Sequence, residues 1–412
     1  MQHSRRGFLK TALGAPSAFA LAAALPGSLF RTARASAAER DSSRVLVVLR
    51  LTGGNDGLNT VVPFGDDVYA RNRPTLRLRG EDVLKIDAHL GFHPQMSGFA
   101  RLFKEGLLTV VQGVGYPDPS DDHFWSQRYW DSARPHEQAC QTGWLGRAAD
   151  SARGSEEVAT SAMFVGDITP PFALNAERAF APTIMAADEL ALRTLEGARL
   201  APPEAAGGAG GELRDLVARA TAAAYAGSER VQAVLRASRS GPAVEYPQCD
   251  IGHALATVAQ LIRAELGVRV FFTALGGELP GGFDNHAIQA ENHAALLRQL
   301  SAAVTAFADD LARDKLLGRV LLMTVSEFGR TVGENGRHGT GHASAAPMFL
   351  VGGATAGGLV GPHPSLTELE KGGPKHHTNF RRVYATVLDQ WLGYDSVAAL
   401  GAKYEHVAAL RR

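Results

Sequence analysis

Four polar clusters in this 412-residue chain combine residue types that do chemistry, and each stands beside an apolar run. The first, Gly53-Gly54-Asn55-Asp56-Gly57-Leu58-Asn59, follows RVLVVLRL at Arg44–Leu51. A carboxylate on a glycine-flanked loop at a strand end is well placed to hold a hard cation or a phosphate-bound metal. The same residues suit an Asx-turn, with the Asp56 side chain bonding its own backbone. The second cluster, Ser120-Asp121-Asp122-His123, opens the aromatic helical stretch from Phe124 to Trp130. Ser and Asp there fit a helix N-cap. A helix start also suits an oxyanion or a nucleophile held over its N–H groups, which makes Ser120 and Asp122 candidate catalytic residues.

The third cluster, Gly281-Gly282-Phe283-Asp284-Asn285-His286, follows VRVFFTAL at 268–275. Asp284 and His286 are two apart, so in extended backbone their side chains point the same way and can share one divalent metal. Alternatively, His286 caps the helix that follows. The fourth and densest cluster runs from Ser326-Glu327-Phe328-Gly329-Arg330-Thr331 into Asn335–His342. Glu327 and Arg330 either pair with each other near the surface, which contributes little, or join an imidazole in an anion or metal site. His376-His377, in a Gly- and Lys-rich loop, reads as solvated.

Short β-branched runs must place these clusters. They are Arg44–Leu51, Leu107–Val114, Val268–Leu275, Val320–Val325 and Met348–Val351, each with the character of a buried strand. Helical spacing separates them over Gln95–Glu105, His123–Ala133, Ala287–Arg313 and Arg381–Leu392. Strands alternating with helices predict a mostly parallel sheet covered on both faces. Ligands of such sheets bind at the carboxyl ends of the strands. From Ala186 to Ala264 the chain is Ala- and Arg-rich, broken by Pro202-Pro203 and by AAGGAGG at 205–211. This predicts a helical insertion with one flexible loop, since it offers few large side chains for a separate core.

Composition narrows the function. Hydrophobic residues make up 45% and charged residues 20%, which argues against wholesale disorder and against a coiled coil. Lys+Arg 42 balances Asp+Glu 42, so a nucleic-acid partner held by phosphate neutralisation has no support. Two cysteines exclude a disulfide scaffold, and Cys140 and Cys249 read as free thiols in preference to one bridge. At the start, Ser4-Arg5-Arg6-Gly7-Phe8-Leu9-Lys10 resembles a twin-arginine export signal. The Ala-rich stretch behind it, Thr11–Leu25, falls short of the roughly 20 residues that span a bilayer, so no permanent membrane span is expected. Small-residue cleavage sites follow at Ala33-Arg34-Ala35 and Ala35-Ser36-Ala37. The expectation is a signal peptide over 1–35, the twin-arginine translocase as a partner during export, and a periplasmic or secreted domain over 44–412.

In order, LxGGNDGLN, an HF pair on an aromatic helix, TGWLGR, FDxH, SEFGRT, ENGxxGTxH and FRRVYATVLxxWLG resemble the DUF1501 family. These are twin-arginine-exported bacterial proteins distantly similar to the alkaline phosphatase and sulfatase superfamily. The resemblance runs from about Arg44 to Gly393. It implies an α/β fold, a three-layer α/β/α sandwich with metal-binding loops at one sheet edge. Carried over residue by residue, it implies Asp56, Asp284, His286 and His342 as metal ligands, with Glu327 and Arg330 lining the pocket. The chain departs from the family pattern at Asp122, where Ser is usual, and at Gly341 and Asn379, where Asp is usual. Each departure removes a hydroxyl or a carboxylate. The expectation is therefore one divalent cation (Zn, Mg, Ca or Mn), or none, since two close cations need several carboxylates to hold them. Ser120 stands as the substitute nucleophile, or a metal-bound water attacks, and Arg330 or backbone N–H groups steady the oxyanion. The implied activity is hydrolysis of an anionic phosphate or sulfate ester. The alternative is a non-catalytic periplasmic binding or assembly protein that keeps the sandwich.

Overall fold

A computed structural model describes residues 44–152, 162–166, 169–179, 181, 183–184, 244–276 and 282–411. The expected signal peptide and residues 186–243 of the expected insertion lie outside the described residues. Central to the fold is β1, Val45–Leu51, buried at every position. A strand covered on both faces reads as a continuous apolar run, which is how VLVVLRL differs from an alternating surface strand.

The remaining sheet strands are β2 (Leu108–Gly115), β3 (Ala162–Val165), β4 (Thr183–Ile184), β5 (Val270–Leu275), β6 (Val320–Val325), β7 (Ala346–Val351), β8 (Gly358–Val360) and β9 (Thr378–Asn379). Their order is β8-β2-β7-β6-β1-β5-β3-β4, with β9 pairing β2. β1 lies parallel to both neighbours, with Val47 opposite Phe271 on one side and Leu322 on the other. Only β7 runs antiparallel to its partners, so the sheet is mixed but mostly parallel.

Among the described residues, the helices on the faces include α1 (Ser97–Lys104), α2 (His123–Ser132), α3 (Trp144–Ser151), α4 (Asp250–Arg263), α5 (Gln289–Arg313) and α6 (Phe380–Thr386). Alternate residues of β1 face opposite ways, as the period of a strand requires. Val45, Val47, Leu49 and Leu51 join Phe99 of α1, Leu255 of α4 and Leu300 of α5 in one core. Leu46 and Val48 join Trp130 of α2, Trp144 of α3 and Tyr384 of α6 in the other. Two apolar cores separated by one sheet make the three-layer α/β/α sandwich that the resemblance implies. Helix α4 lies within the range expected for the insertion, and its apolar face is part of the first core.

No helix among the described residues is long and apolar enough to cross a membrane. Both cysteines are free, Cys140 buried and Cys249 half-buried.

Candidate metal centre

Three adjacent parallel strands, β5, β1 and β6, end at the same sheet edge and deliver three of the four polar clusters there. Beyond β1, Gly53 and Gly54 adopt φ +108° and +82°. A Cβ on Gly53 would stand 2.5 Å from the Asp284 backbone nitrogen, so only glycine lets the loops after β1 and β5 touch. Phe283 N donates to Thr52 O at 2.8 Å across that contact. Ser326 Oγ, just past β6, donates to Leu51 O at 2.9 Å and accepts from Asn55 N at 2.9 Å.

Arg330 locks the three loops together. It is fully buried, and its guanidinium donates to Gly54 O at 2.7 Å, Thr340 O at 3.2 Å, Phe283 O at 3.1 Å and Asp284 Oδ1 at 2.7 Å, as well as to Gly53 O. Most of its donors are spent on backbone carbonyls and one carboxylate, which makes it a clamp between the loops.

Asp284 is the focus of the site. Its Oδ1 also lies 2.9 Å from His342 Nε2 and 3.0 Å from His286 Nε2, and those two nitrogens are 2.8 Å apart. From the other side, His123 Nε2 stands 3.5 Å from Asp284 Oδ2. His123, Asp284 and His342 each offer a ligand atom, all within 4.8 Å of one another.

The outer nitrogens of two of these imidazoles are already committed. His342 Nδ1 lies 2.5 Å from Asp121 O, a carbonyl that can only accept. His123 Nδ1 lies 3.2 Å from Glu327 Oε1, which also accepts from Gly53 N at 2.7 Å and Gln127 Nε2 at 3.2 Å. In its neutral form a histidine carries one N–H, so with Nδ1 donating, each ring would present an Nε2 lone pair to the same carboxylate, a position that a proton or a cation can fill. Lone pairs facing a carboxylate repel unless a proton or a cation lies between them. Phe328 stacks on His342 at 4.3 Å between ring centroids and fixes its orientation.

The electrostatics follow from this crowding. Hydrogen bonds to Asp284 and then Glu327 push the His123 imidazolium up to about 9. Burial alone would raise Asp284, but His123, His342 and Arg330 hold it far below the usual carboxylate range. Burial works the same way on Glu327, where the hydrogen bonds of His123, of the backbone and of Gln127, with the charge of Arg50, together outweigh it and lower the carboxyl. His286 is lowered by burial, so its neutral form is favoured. Within the site, Glu327 Oε2 is buried without a hydrogen-bond partner, and His123 Nε2 reaches Asp284 Oδ2 only at 3.5 Å.

Of the residues expected at the site, the structure gathers Asp284, His286, His342, Glu327 and Arg330 in one place. Asp56 is placed elsewhere. Its carboxylate is buried against Arg73, with Nη1–Oδ2 at 2.6 Å and Nη2–Oδ1 at 3.0 Å, and it accepts further from Gln289 and from Leu58 N. The Leu58 contact is the Asx-type bond to its own loop. Ser120 Oγ accepts from Asp122 N at 3.2 Å, and Asp122 Oδ1 caps α2 by accepting from Trp125 N at 2.9 Å. Both are turn and cap residues. Asn379 likewise caps α6 through Arg381 N. His377 bonds Pro362 O at 2.9 Å, apart from the cluster.

Sequence reasoning passed over His123, the first residue of α2, as a ligand. The signal was present in its own cluster, where the Ser and Asp cap residues drew the attention. It also missed Arg73, whose pairing with Asp56 spans 17 residues and leaves no local pattern.

The chain is thus a three-layer α/β/α sandwich that carries a His–Asp cluster at the ends of its central strands. The chain belongs to the DUF1501 family, described as a protein of unknown function, whose model matches residues 109–396. No curated protein matches the chain. Solved structures similar to it include the C-terminal periplasmic domain of EptC from Escherichia coli in complex with Zn, at 11% identity and a TM-score of 0.36, covering 75% of this chain and 72% of that one. The lipoteichoic acid synthase LtaP from Listeria monocytogenes matches at 8% identity and a TM-score of 0.33, covering 77% and 68%. BT1596, a 2-O GAG sulfatase, matches at 10% identity and a TM-score of 0.36, covering 88% and 75%.

Proposed function

We propose that this protein binds one divalent transition-metal ion through His123, Asp284 and His342, with His286 beside them, and uses the site to hydrolyse an anionic phosphate or sulfate ester. One observation carries the reading: two imidazoles with committed Nδ1 atoms turn their Nε2 atoms toward a single carboxylate. The donor set, three imidazoles and one carboxylate, suits zinc and its neighbours better than magnesium or calcium, which favour all-oxygen shells. Ligand atoms on a tetrahedral zinc stand about 3.3 Å apart. Asp284 Oδ1 stands 2.9 Å from His342 Nε2 and 3.0 Å from His286 Nε2, and the ligand atoms of His123, Asp284 and His342 lie within 4.8 Å of one another.

When bound, such an ion polarises an ester oxygen and lowers the pKa of a coordinated water. The chain's own part is to hold the imidazoles. Glu327 fixes the His123 ring through Nδ1, the Asp121 carbonyl fixes His342, and Arg330 fixes Asp284. Ser120 is engaged in its own turn, so water is the attacking group in this scheme.

The test is hydrolysis of phosphate and sulfate monoesters by the purified full chain, before and after chelation and after zinc is restored. Chelator-sensitive turnover that zinc restores is the expected result. A second reading, a metal-binding protein without turnover, is favoured by the capping and turn roles of Ser120 and Asp122. It gains the ground if metal is bound and none of these esters is cleaved. Export through the twin-arginine pathway to the periplasm belongs to the same proposal and is supported by the Ser4–Lys10 motif. Replacing Arg5 and Arg6 with lysine and following the location of the chain tests it.

A further inference from the structure

His342 Nδ1 lies 2.5 Å from the Asp121 carbonyl, and the Asp121 carboxylate meets Lys371, with Nζ–Oδ1 at 3.3 Å. One residue thus faces a ring of the site through its backbone and a cation through its side chain. Lys371 comes from a separate segment, the hairpin of Leu369–Glu370 and Gly373–Pro374, in which Glu370 pairs with Gly373.

That hairpin rests on the ribbon that carries Arg330 and His342, which stand opposite one another in it. Val332 N donates to Gly372 O at 2.8 Å, Ala345 N to Pro374 O at 3.2 Å, and Ser344 Oγ to Glu370 Oε2 at 2.8 Å. A Cβ on Gly373 would stand 2.9 Å from Arg330 O and 2.3 Å from Ala343 Cβ. The hairpin is therefore fixed to the strands of the site, and Lys371 at its tip reaches from them to the loop before α2. The turn adds an independent observation. Lys371 and Gly372 have φ of 51° and 77°, the pattern of a type I′ turn, which favours Asn-Gly. A lysine in the left-handed region is uncommon, and the turn gives no reason for one. The carboxylate of Asp121 does.

We infer that Lys371 is a positioning residue of the metal site: by pairing with the Asp121 side chain it keeps the Asp121 carbonyl on His342 Nδ1. His342 Nε2 then stays aimed at Asp284 Oδ1, 2.9 Å away. The inference rests on the metal reading above and adds a residue to the support of its ligands. Zinc affinity of the purified full chain, by competition with a chromophoric chelator, tests it. Lys371→Asn suits the turn and removes the charge, so its urea midpoint equals or exceeds that of the native chain. It weakens zinc binding about threefold at low salt, the size that an exposed ion pair carries. That difference closes at about 1 M salt, where the screening length is roughly 3 Å. Asp121→Asn keeps the carbonyl and gives the same loss, the double variant loses no more than either, and Lys371→Arg restores native affinity. Native affinity in Lys371→Asn overturns the inference, as does a loss that persists at high salt or adds up in the double variant. Each of these leaves the metal reading standing. A native chain that binds no zinc overturns both.

Discussion

At the residue scale, the account turns on what each carboxylate is already doing. Glu327 touches His123 Nδ1 and stands back from the other ligand atoms, so it acts by fixing a ring. Glu327→Gln is expected to weaken zinc binding by about 10–100-fold, the usual cost of losing such support, read by competition with a chromophoric chelator. Unchanged affinity would show that the His123 ring needs no anchor. Asp56 is the opposite case, a buried counter-charge for Arg73. Asp56→Ala leaves that guanidinium unpaired and is expected to cost about 3–5 kcal/mol in urea unfolding. Metal content per folded molecule should stay the same. If metal were lost and stability kept, Asp56 would be a ligand after all.

At the scale of elements, the strands were legible because burial on both faces writes itself as an unbroken apolar run. Val320–Val325 was delimited as it stands, and β1 and β5 within a residue or two. Short edge strands such as Thr183–Ile184 and Thr378–Asn379 have two residues each and carry no periodicity to detect. The site was legible in its strand-end clusters for the same reason that Gly53 is glycine: backbone must approach backbone there. What the sequence could not disclose was which polar side chain spends itself locally. Asp56 reads equally as a ligand or an Asx-turn residue and Asp122 as a catalytic residue or a helix cap, and the distant Arg73 and the Trp125 N–H are what the two carboxylates meet. Gly53→Ala drives a Cβ against the Asp284 and Phe283 backbone nitrogens, 2.5 and 2.8 Å away, which cannot yield as a flexible side chain would. It should destabilise the protein by about 2 kcal/mol or more and weaken metal binding as Asp284 shifts. An alanine variant as stable as the native chain would contradict the close approach of the two loops.

At the scale of the whole molecule, the polar loops are embedded in the cores, and this gives stability a pH dependence away from the metal ligands. Burial lowers His293 to about 3 and His93 to about 4. Unfolded, each titrates near 6.5, so below that pH the unfolded chain binds more protons than the folded one. Stability is therefore fully present above about 6.5 and falls as pH drops toward 4 and then 3. His293→Gln should flatten that slope in urea midpoints taken between pH 7 and 4.5, and an unaltered slope would remove His293 from the explanation. The central claim remains the cation. Elemental analysis of the purified chain, grown with zinc and freed of loosely bound ions, should find about one transition metal per molecule, lost in Asp284→Ala and in His342→Ala and retained in Asp56→Ala. A folded native chain without stoichiometric metal, or one whose metal survives loss of both Asp284 and His342, would contradict it.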